Sequence, residues 1–176
     1  MRCHPPVVVH DNIRMSKKIS KGDVYRKYIF DEMARVTKHS IEELEKYVDS
    51  LDDHKAKELC SRCSHSRKNS VYSFISKGPD HWIVKTHSIS NIYVGTINAR
   101  VNGYLNRNGW LLKNIGKDKD IRKLGEFKKW GEIHHRSLSF VAQKNGGKYR
   151  LVDGNHRAIK LACSGQKEFE LIYYRR

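Results

Sequence analysis

The sequence predicts an α/β (α+β) protein in which a helical N-terminal region, residues 1–80, precedes a small mixed-sheet domain, residues 81–176. Apolar residues recur at helical spacing up to about residue 75. The stretch KGPD at 77–80 is typical of a turn, and short β-branched and aromatic runs follow it. Because the hydrophobic period changes at this one place, we expect the boundary there.

Three helices are predicted before the boundary. Asp23 is a suitable N-cap for an amphipathic helix over 23–37. Ser40 and Glu43 have the spacing of a capping box, and one apolar stripe continues from there to Leu59. A shorter helix is predicted over 71–75, and the first 20 or so residues are expected to form an extended arm.

The second half alternates short strands, turns and helices. The hairpin signal at 145–147, NGG, is its strongest local feature. The predicted order is a strand at 82–84, a strand at 92–94, turns at 102–103 and 108–109, a basic helix over 118–130, strands at 138–142 and 148–152, a helix over 155–163 and a strand at 168–174.

The charge is strongly positive and unevenly distributed. The chain has 35 Lys and Arg against 19 Asp and Glu, a formal net charge of +16. Residues 89–176 contribute 18 basic and 7 acidic residues. An excess of this size favours a polyanionic partner, either nucleic acid or a nucleotide. The segment 41–60 is acidic by contrast, with seven acids and three lysines, and we expect it to offer a surface to a protein partner.

Several classes of protein are not expected. No apolar run approaches the roughly 18 residues of a membrane span, and no secretory signal is recognisable. The four cysteines are scattered apart from Cys60 and Cys63, so they do not make a disulfide framework. We therefore expect a cytoplasmic protein with no membrane partner.

The sharpest motif is the DGNHR box, residues 153–157, where a strand turns into a helix. Gly154 permits backbone angles that other residues avoid, and the amides at a helix N-terminus form an anion site. His156 adds a titratable group and Arg157 a forked cation at the same point. The pattern suits a phosphate group. An ordinary turn, with Asp153 as a helix cap and the other residues at the surface, accounts for it equally well.

The segment YRLVDGNHRAIKLA at 149–162 follows a basic helix, Gly131 and the strand RSLSFVA, and precedes GQKEFELIYY. This order of elements resembles the ParB/sulfiredoxin superfamily, in which a G-x-x-R box between a strand and a helix binds nucleotide phosphates. The box is most similar to the DGHHR form of ParB-like kinases. The resemblance covers 118–174, extends weakly back to residue 82 and leaves out residues 1–80.

The resemblance implies roles for individual residues of the box. Gly154 would be the turn glycine, while the Asn155, His156 and Arg157 amides and the Arg157 side chain would hold phosphate, with Asp153 preceding them. His156 would be a donor or proton shuttle and so a catalytic candidate. Mg²⁺ would accompany a nucleoside triphosphate, although no ligand set is recognisable.

Other features separate the chain from two branches of the superfamily. Asn155 stands where sulfiredoxins carry a reactive cysteine, and an amide is not a nucleophile, so sulfiredoxin chemistry is excluded. No helix-turn-helix follows the box, so a centromere-binding role is not expected. The carboxylate that would serve as catalytic base is not identified: Glu126, Glu132 and Asp80 are available.

A second cluster, EIHHR at 132–136, enters the strand before the box. Glu132 is a candidate catalytic carboxylate, and His135 and Arg136 are candidate phosphate ligands, because these groups could supply a base, a metal contact or phosphate donors. The alternative is a solvent-facing strand entry.

A candidate zinc site lies near the end of the acidic segment. Cys60 and Cys63 have the spacing of a zinc knuckle, and His54 and His65 are the nearest further ligands. A second CxxC or HxxxH is missing, so a redox pair and plain buried cysteines are alternatives.

The predicted basic helix offers a surface for nucleic acid. Its cations Lys119, Arg122, Lys123 and Lys129 lie opposite its apolar residues and are expected to be exposed. The sequence thus favours a ParB-like protein that binds nucleotide or phosphate at the DGNHR box, with phosphoryl transfer or nucleotide hydrolysis as its enzymatic form. A non-catalytic DNA- or RNA-binding protein and a ParB-like metal-dependent nuclease are the alternatives.

Overall fold

A computed structural model describes residues 16–36, 39–63, 70–124 and 139–175. The elements in chain order are β1 (Lys17–Ser20), α1 (Lys21–Val36), α2 (Ile41–Asp49), α3 (Asp53–Cys63), α4 (Ser70–Lys77), β2 (His81–Ser88), a 3-10 turn (Ile89–Asn91), β3 (Ile92–Tyr93), α5 (Ala99–Arg107), α6 (Leu112–Ile115), α7 (Lys119–Lys123), β4 (Ser139–Asn145), β5 (Lys148–Leu151), α8 (Asn155–Cys163) and β6 (Glu168–Tyr173). The mixed α/β content confirms the predicted fold class.

The strands form one six-stranded mixed sheet in the order β1-β2-β6-β4-β5-β3. The β1/β2, β2/β6 and β4/β5 pairs are antiparallel, whereas β4/β6 and β3/β5 are parallel. β6 thus lies between β2 and β4, inside the sheet. The DGNHR box follows β5, and the residue before it, Val152, is still bonded to β4 because its amide donates to the Val141 carbonyl.

One face of the sheet is covered by the N-terminal helices. Val24 and Ile29 of α1 and Ile75 of α4 are fully buried, together with the sheet residues Trp82 and Ile172. The capping box predicted at the start of α2 is confirmed: the Ser40 hydroxyl accepts from the Glu43 amide, and the Glu43 carboxylate accepts from the Ser40 amide. The predicted continuous stripe from residue 40 to residue 59 is wrong, since it is divided between α2 and α3.

The other face is covered by α5, α6, α7 and α8. Its core includes Leu105, Ile115, Phe140, Ile159 and Leu171, all of them buried. Phe140 meets Phe169 edge to face, with ring centroids 5.1 Å apart. The β4/β5 hairpin is confirmed, with Asn145 opposite Lys148 and Gly146 at φ +59°. In the described ranges, none of the helices is long and apolar enough to cross a bilayer.

Two local predictions of the second half differ from the structure. The turn predicted at Asn102-Gly103 is wrong, because both residues lie inside α5, which buries Val101 and Leu105. The basic helix begins at the predicted place, and its N-cap is Asp118, whose carboxylate accepts from the Asp120 and Ile121 amides. Within the described residues it ends at 123, and the rest of the predicted helix falls outside them.

Candidate functional site

The DGNHR box forms the turn from β5 into α8. Gly154 is the N-cap of α8 and has a left-handed backbone, φ +74° and ψ +19°. Among the described residues, no side chain caps this helix end, and the first intrahelical bond runs from the Ala158 amide to the Gly154 carbonyl. The first amides of a helix lack intrahelical acceptors, so this end of α8 has the character of an anion site.

Gly154 is required by space as well as by its backbone angle. A Cβ atom at this position would lie 2.7 Å from Phe140 Cδ1 and 3.0 Å from Arg157 Nη2. Phe140 is fully buried, so its ring has no space into which it could move away from the new atom. The glycine therefore allows the turn to approach both the core and the box arginine.

Arg157 lies beneath the turn, and its side chain is only 11% exposed. Its Cζ is 4.6 Å from the centroid of the Phe140 ring, within the range of a cation–π contact. Nη2 donates to the Ser139 carbonyl and to Asp31 Oδ2, at 3.3 Å each. Nε is buried and has no hydrogen-bond partner within the part of the chain that the structure covers. The guanidinium is thus well packed but poorly supplied with acceptors there.

The acceptor Asp31 belongs to α1, 126 residues away in the sequence. It is only 10% exposed, and both of its oxygens accept from Lys27 Nζ, at 2.9 and 3.0 Å. Burial lowers the pKa of Lys27, against the raising effect of Asp31. Lys27, Asp31 and Arg157 therefore form a buried ion network between α1 and the DGNHR box. No local pattern in the sequence indicated that Asp31 would lie there.

Asp153 adds a second carboxyl group to this region. Burial raises its pKa above the usual value, opposed by Arg157 and by the hydrogen bond with the Gly154 amide, while Asp31 and Glu32 raise it further. Burial and the two neighbouring carboxylates thus oppose Arg157 in their effect on the pKa of Asp153.

Asn155 connects the box to the loop after β3. Its Oδ1 accepts from the Gly95 amide at 2.7 Å, and a Cβ at Gly95 would be 3.3 Å from Asn155 Nδ2. The loop leads into α5, whose N-cap Asn98 accepts from the Val101 amide at 3.0 Å. Because β3 and β5 are parallel, the N-termini of α5 and α8 follow neighbouring strands at the same edge of the sheet. Sequence reasoning missed this role of Asn155.

A cavity of about 470 Å³ lies beside the network, between β1, α1, α2 and the start of β4. It shares Lys27 and Ser139 with the surroundings of Arg157. Phe30 and Val48 supply apolar surface, and charged residues of both signs line the rest: Lys17, Lys18, Asp23, Arg26, Glu45 and Asp49. The cavity is large enough for a small ligand.

The structure brings Asp153, Gly154, Asn155, His156 and Arg157 together at one turn, with His156 partly exposed in the first turn of α8. The other candidates for this site lie outside the described residues: Glu132, His135 and Arg136. Whether they approach the box stays a prediction.

The zinc candidates are only partly described. Cys60 is fully buried in the core between the N-terminal helices and the sheet, and His54 is exposed. His65 and the Cys63 side chain lie outside the described residues. No group of three potential metal ligands occurs in the parts of the chain that the structure covers. Zinc binding stays a prediction.

The basic surface is partly as expected. Lys119, Arg122 and Lys123 are exposed on α7 while Ile121 is buried beneath them. Arg122 donates to the Gly116 carbonyl from Nε and Nη2, at 3.2 and 2.6 Å, so it also stabilises the preceding turn. Lys129 lies outside the described residues. In the acidic segment 41–60, an exposed Tyr47 lies among the charges, and a protein partner there stays a prediction.

Comparison of the chain with protein-family models, with curated proteins and with solved structures found no match in any of the three.

Proposed function

We propose that the protein binds a nucleotide or another phosphate compound at the DGNHR box. One observation carries the proposal: Arg157 is buried at a glycine-shaped helix N-terminus, and the described residues give it fewer acceptors than it has donors. The resemblance of 118–174 to the ParB/sulfiredoxin superfamily, whose members bind phosphates at this turn, supports the same function. A cytoplasmic location is part of the proposal, supported by the cysteine pattern.

The hydrogen-bond inventory of Arg157 favours an additional anion. A guanidinium has five N–H donors, and among the described residues only Nη2 finds hydrogen-bond acceptors, both of them at 3.3 Å. Bonds from guanidinium to phosphate are typically about 2.7–2.9 Å and commonly bidentate. Asp31 has shorter hydrogen bonds with Lys27 than with Arg157. If Arg157 donated to a phosphate instead, Asp31 would therefore keep its stronger partner.

The enzymatic form of the proposal is phosphoryl transfer or nucleotide hydrolysis. Arg157 and the α8 amides would stabilise phosphate charge, and His156 would supply a donor or proton shuttle. Asp31 is the buried carboxylate that the structure adds beside Arg157. In the described part of the chain, no group of three potential metal ligands occurs, and Mg²⁺ would accompany a nucleoside triphosphate.

The experiment is a thermal shift panel of nucleotides, each with and without Mg²⁺. We expect at least one nucleotide to raise Tm, and Arg157→Ala to abolish the rise. Arg175→Ala is the matched control, because Arg175 is exposed and follows β6, whose C-terminal end points away from that of β5. A panel without any shift, or a shift that survives Arg157→Ala, would reject the proposal.

Binding of DNA or RNA is the second candidate function, and one observation favours it. In the described part of the chain, Lys113, Lys117, Lys119 and Lys123 are exposed and form no ion pair. Lysines of this kind suit contacts with phosphate backbones. Tight, steeply salt-dependent binding of nucleic acid that is weakened by Lys119→Ala and Lys123→Ala but not by Arg157→Ala would favour this candidate. Metal-dependent cleavage of the strand would favour the nuclease alternative.

A further inference from the structure

The cavity between β1, α1, α2 and the start of β4 is a second possible ligand site. Its volume, about 470 Å³, is within the range of sites that hold small molecules. No residue of the DGNHR box lines it. The phosphate site proposed above therefore does not account for this cavity.

The charged residues on the α1 wall of the cavity already have partners. Arg26 donates to Asp23 Oδ1 at 3.0 Å and to Asp53 Oδ1 at 2.6 Å. Lys27 Nζ donates to both Asp31 oxygens. Because these charges are neutralised inside the protein, they leave little net charge for a ligand.

Charged residues without a partner lie on the other two walls. β1 supplies Lys17 and Lys18, and α2 supplies Glu45 and Asp49. All four are exposed, and none of them forms an ion pair within the described residues. Since α1 packs against both β1 and α2 and the cavity lies between them, the lysines and the carboxylates are farther apart than a direct ion pair allows.

The residues on each of these walls are placed to act together. Glu45 and Asp49 are four residues apart on α2 and share one face, where like charges repel each other and a cation is favoured. Residues two apart on a strand share a face, so Lys17 is on the same side of β1 as Ile19, which packs against the core beneath the N-terminal helices. A cation is thus favoured at α2 and an anion at β1.

The cavity also has apolar surface. Phe30 of α1 and Val48 of α2 line it, and both pack in the core beneath the N-terminal helices. Contact with these side chains favours a ligand whose body is apolar. The three walls together suit a molecule with an ammonium at one end, a carboxylate at the other and an apolar middle.

We propose that this cavity binds a short zwitterionic peptide, two or three residues long and with apolar side chains. Its ammonium lies at Glu45 and Asp49, its carboxylate at Lys17 and Lys18, and its side chains lie on Phe30. In a free amino acid one carbon atom carries both charges, whereas each added residue separates them by up to about 3.3–3.6 Å. A peptide therefore reaches two walls that an amino acid does not. The proposal does not depend on the phosphate site.

The test is a titration with leucyl-leucine, followed by the amide chemical shifts of the isotope-labelled protein. We expect shifts at 17–19 and 45–49, with a Kd of about 0.2 mM, which the ligand efficiency of drug-sized molecules gives for about 17 non-hydrogen atoms. The C-terminal amide of the peptide lacks the carboxylate, the N-acetyl form lacks the ammonium, and glycyl-glycine lacks the apolar side chains. Each of them, and free leucine, should bind about 5-fold more weakly or worse.

Two double variants assign each charge of the peptide to its wall. Lys17→Met/Lys18→Met should weaken leucyl-leucine about 5-fold and leave its C-terminal amide within about 2-fold, because the amide has no carboxylate to lose. Glu45→Gln/Asp49→Asn should weaken leucyl-leucine by a similar factor and leave the N-acetyl form within about 2-fold.

Matched controls remove the same kinds of charge elsewhere. Lys113→Met/Lys117→Met changes two exposed lysines that do not line the cavity, and Glu42→Gln changes an exposed carboxylate of α2 that does not line it either. Neither control should change the Kd. Because the substituted cavity residues are exposed and unpaired, Tm should stay within about 3 °C of the wild type. If a variant does not fold, the analogue series with the wild type decides alone.

Shifts at both walls, with the expected order of analogues, support the proposal. It is overturned if leucyl-leucine causes no shifts, if the shifts are confined to other residues, or if leucine binds as tightly as the peptide. Equal losses for the peptide and its C-terminal amide in Lys17→Met/Lys18→Met also overturn it. None of these outcomes changes the proposal for the DGNHR box, whose test depends on Arg157→Ala and on phosphate compounds.

Discussion

Gly154→Ala tests why position 154 needs a glycine. The reason is either the left-handed backbone alone or also the short distance to Phe140 beneath it. A left-handed backbone costs a non-glycine residue about 1–2 kcal/mol. The new methyl would lie 2.7 Å from the buried ring of Phe140 and 3.0 Å from Arg157 Nη2, and overpacking of this kind costs about 1–3 kcal/mol. We therefore expect a loss of about 2–5 kcal/mol in the free energy of unfolding, which lowers Tm by on the order of 10 °C for a chain of this length.

Gly146→Ala is the matched control, because Gly146 has φ +59° but a Cβ added there would meet no atom of the described residues within 4 Å. It should lose only the backbone contribution, about 1–2 kcal/mol. Urea denaturation of both variants and the wild type measures the difference directly. If the two alanine variants lose the same stability, the close approach of Gly154 to Phe140 does not matter and the reasoning is wrong. Gly154→Ala should also weaken any phosphate binding, since it displaces Arg157.

Two further predictions concern buried charges. Asp31→Asn removes the carboxylate shared by Lys27 and Arg157, so it should lower the free energy of unfolding by about 3 kcal/mol in denaturant titrations. Adding Lys27→Met should recover part of that loss. A loss below about 0.5 kcal/mol for Asp31→Asn would contradict the ion network. Burial, and then Lys85 and Lys144, lower the pKa of His87 to about 4, so the unfolded chain takes the proton first and stability should fall as pH drops from about 6.5 towards 4. His87→Phe should remove that part of the fall, measured by thermal unfolding at pH 7 and pH 5; an unchanged fall would show that His87 is not its source.

The parts of the fold that local chemistry determines could be predicted from the sequence. Ser40 and Glu43 form their capping box, and Gly146 turns the β4/β5 hairpin. The strand, turn and helix around Gly154 were likewise predictable, because a left-handed residue between two regular elements has few alternatives to glycine. These signals depend on residues within a few positions of one another.

The remaining parts depend on tertiary packing. Asn102-Gly103 has turn chemistry, yet α5 forms there because Val101 and Leu105 are buried against the sheet. β1 has a single apolar residue, Ile19, and gains its strand conformation by pairing with β2. Such elements lack a periodic signal of their own.

The candidate site shows the same division. The DGNHR box was predictable as a motif, whereas the partner of Arg157 was not. Asp31 lies 126 residues earlier in the sequence. It reaches Arg157 only because α1 packs against the sheet. Its position in the α1 pattern is that of an ordinary surface carboxylate. Only the tertiary fold makes it a buried hydrogen-bond acceptor of Arg157.

The central position of β6 determines when the protein can fold during synthesis. Ile172 completes the core beneath the N-terminal helices, and Leu171 completes the core on the opposite face. β2 and β4 each lack one of their two neighbouring strands until residues 168–173 have been made. The core beneath the N-terminal helices is therefore complete only after β6 has been made.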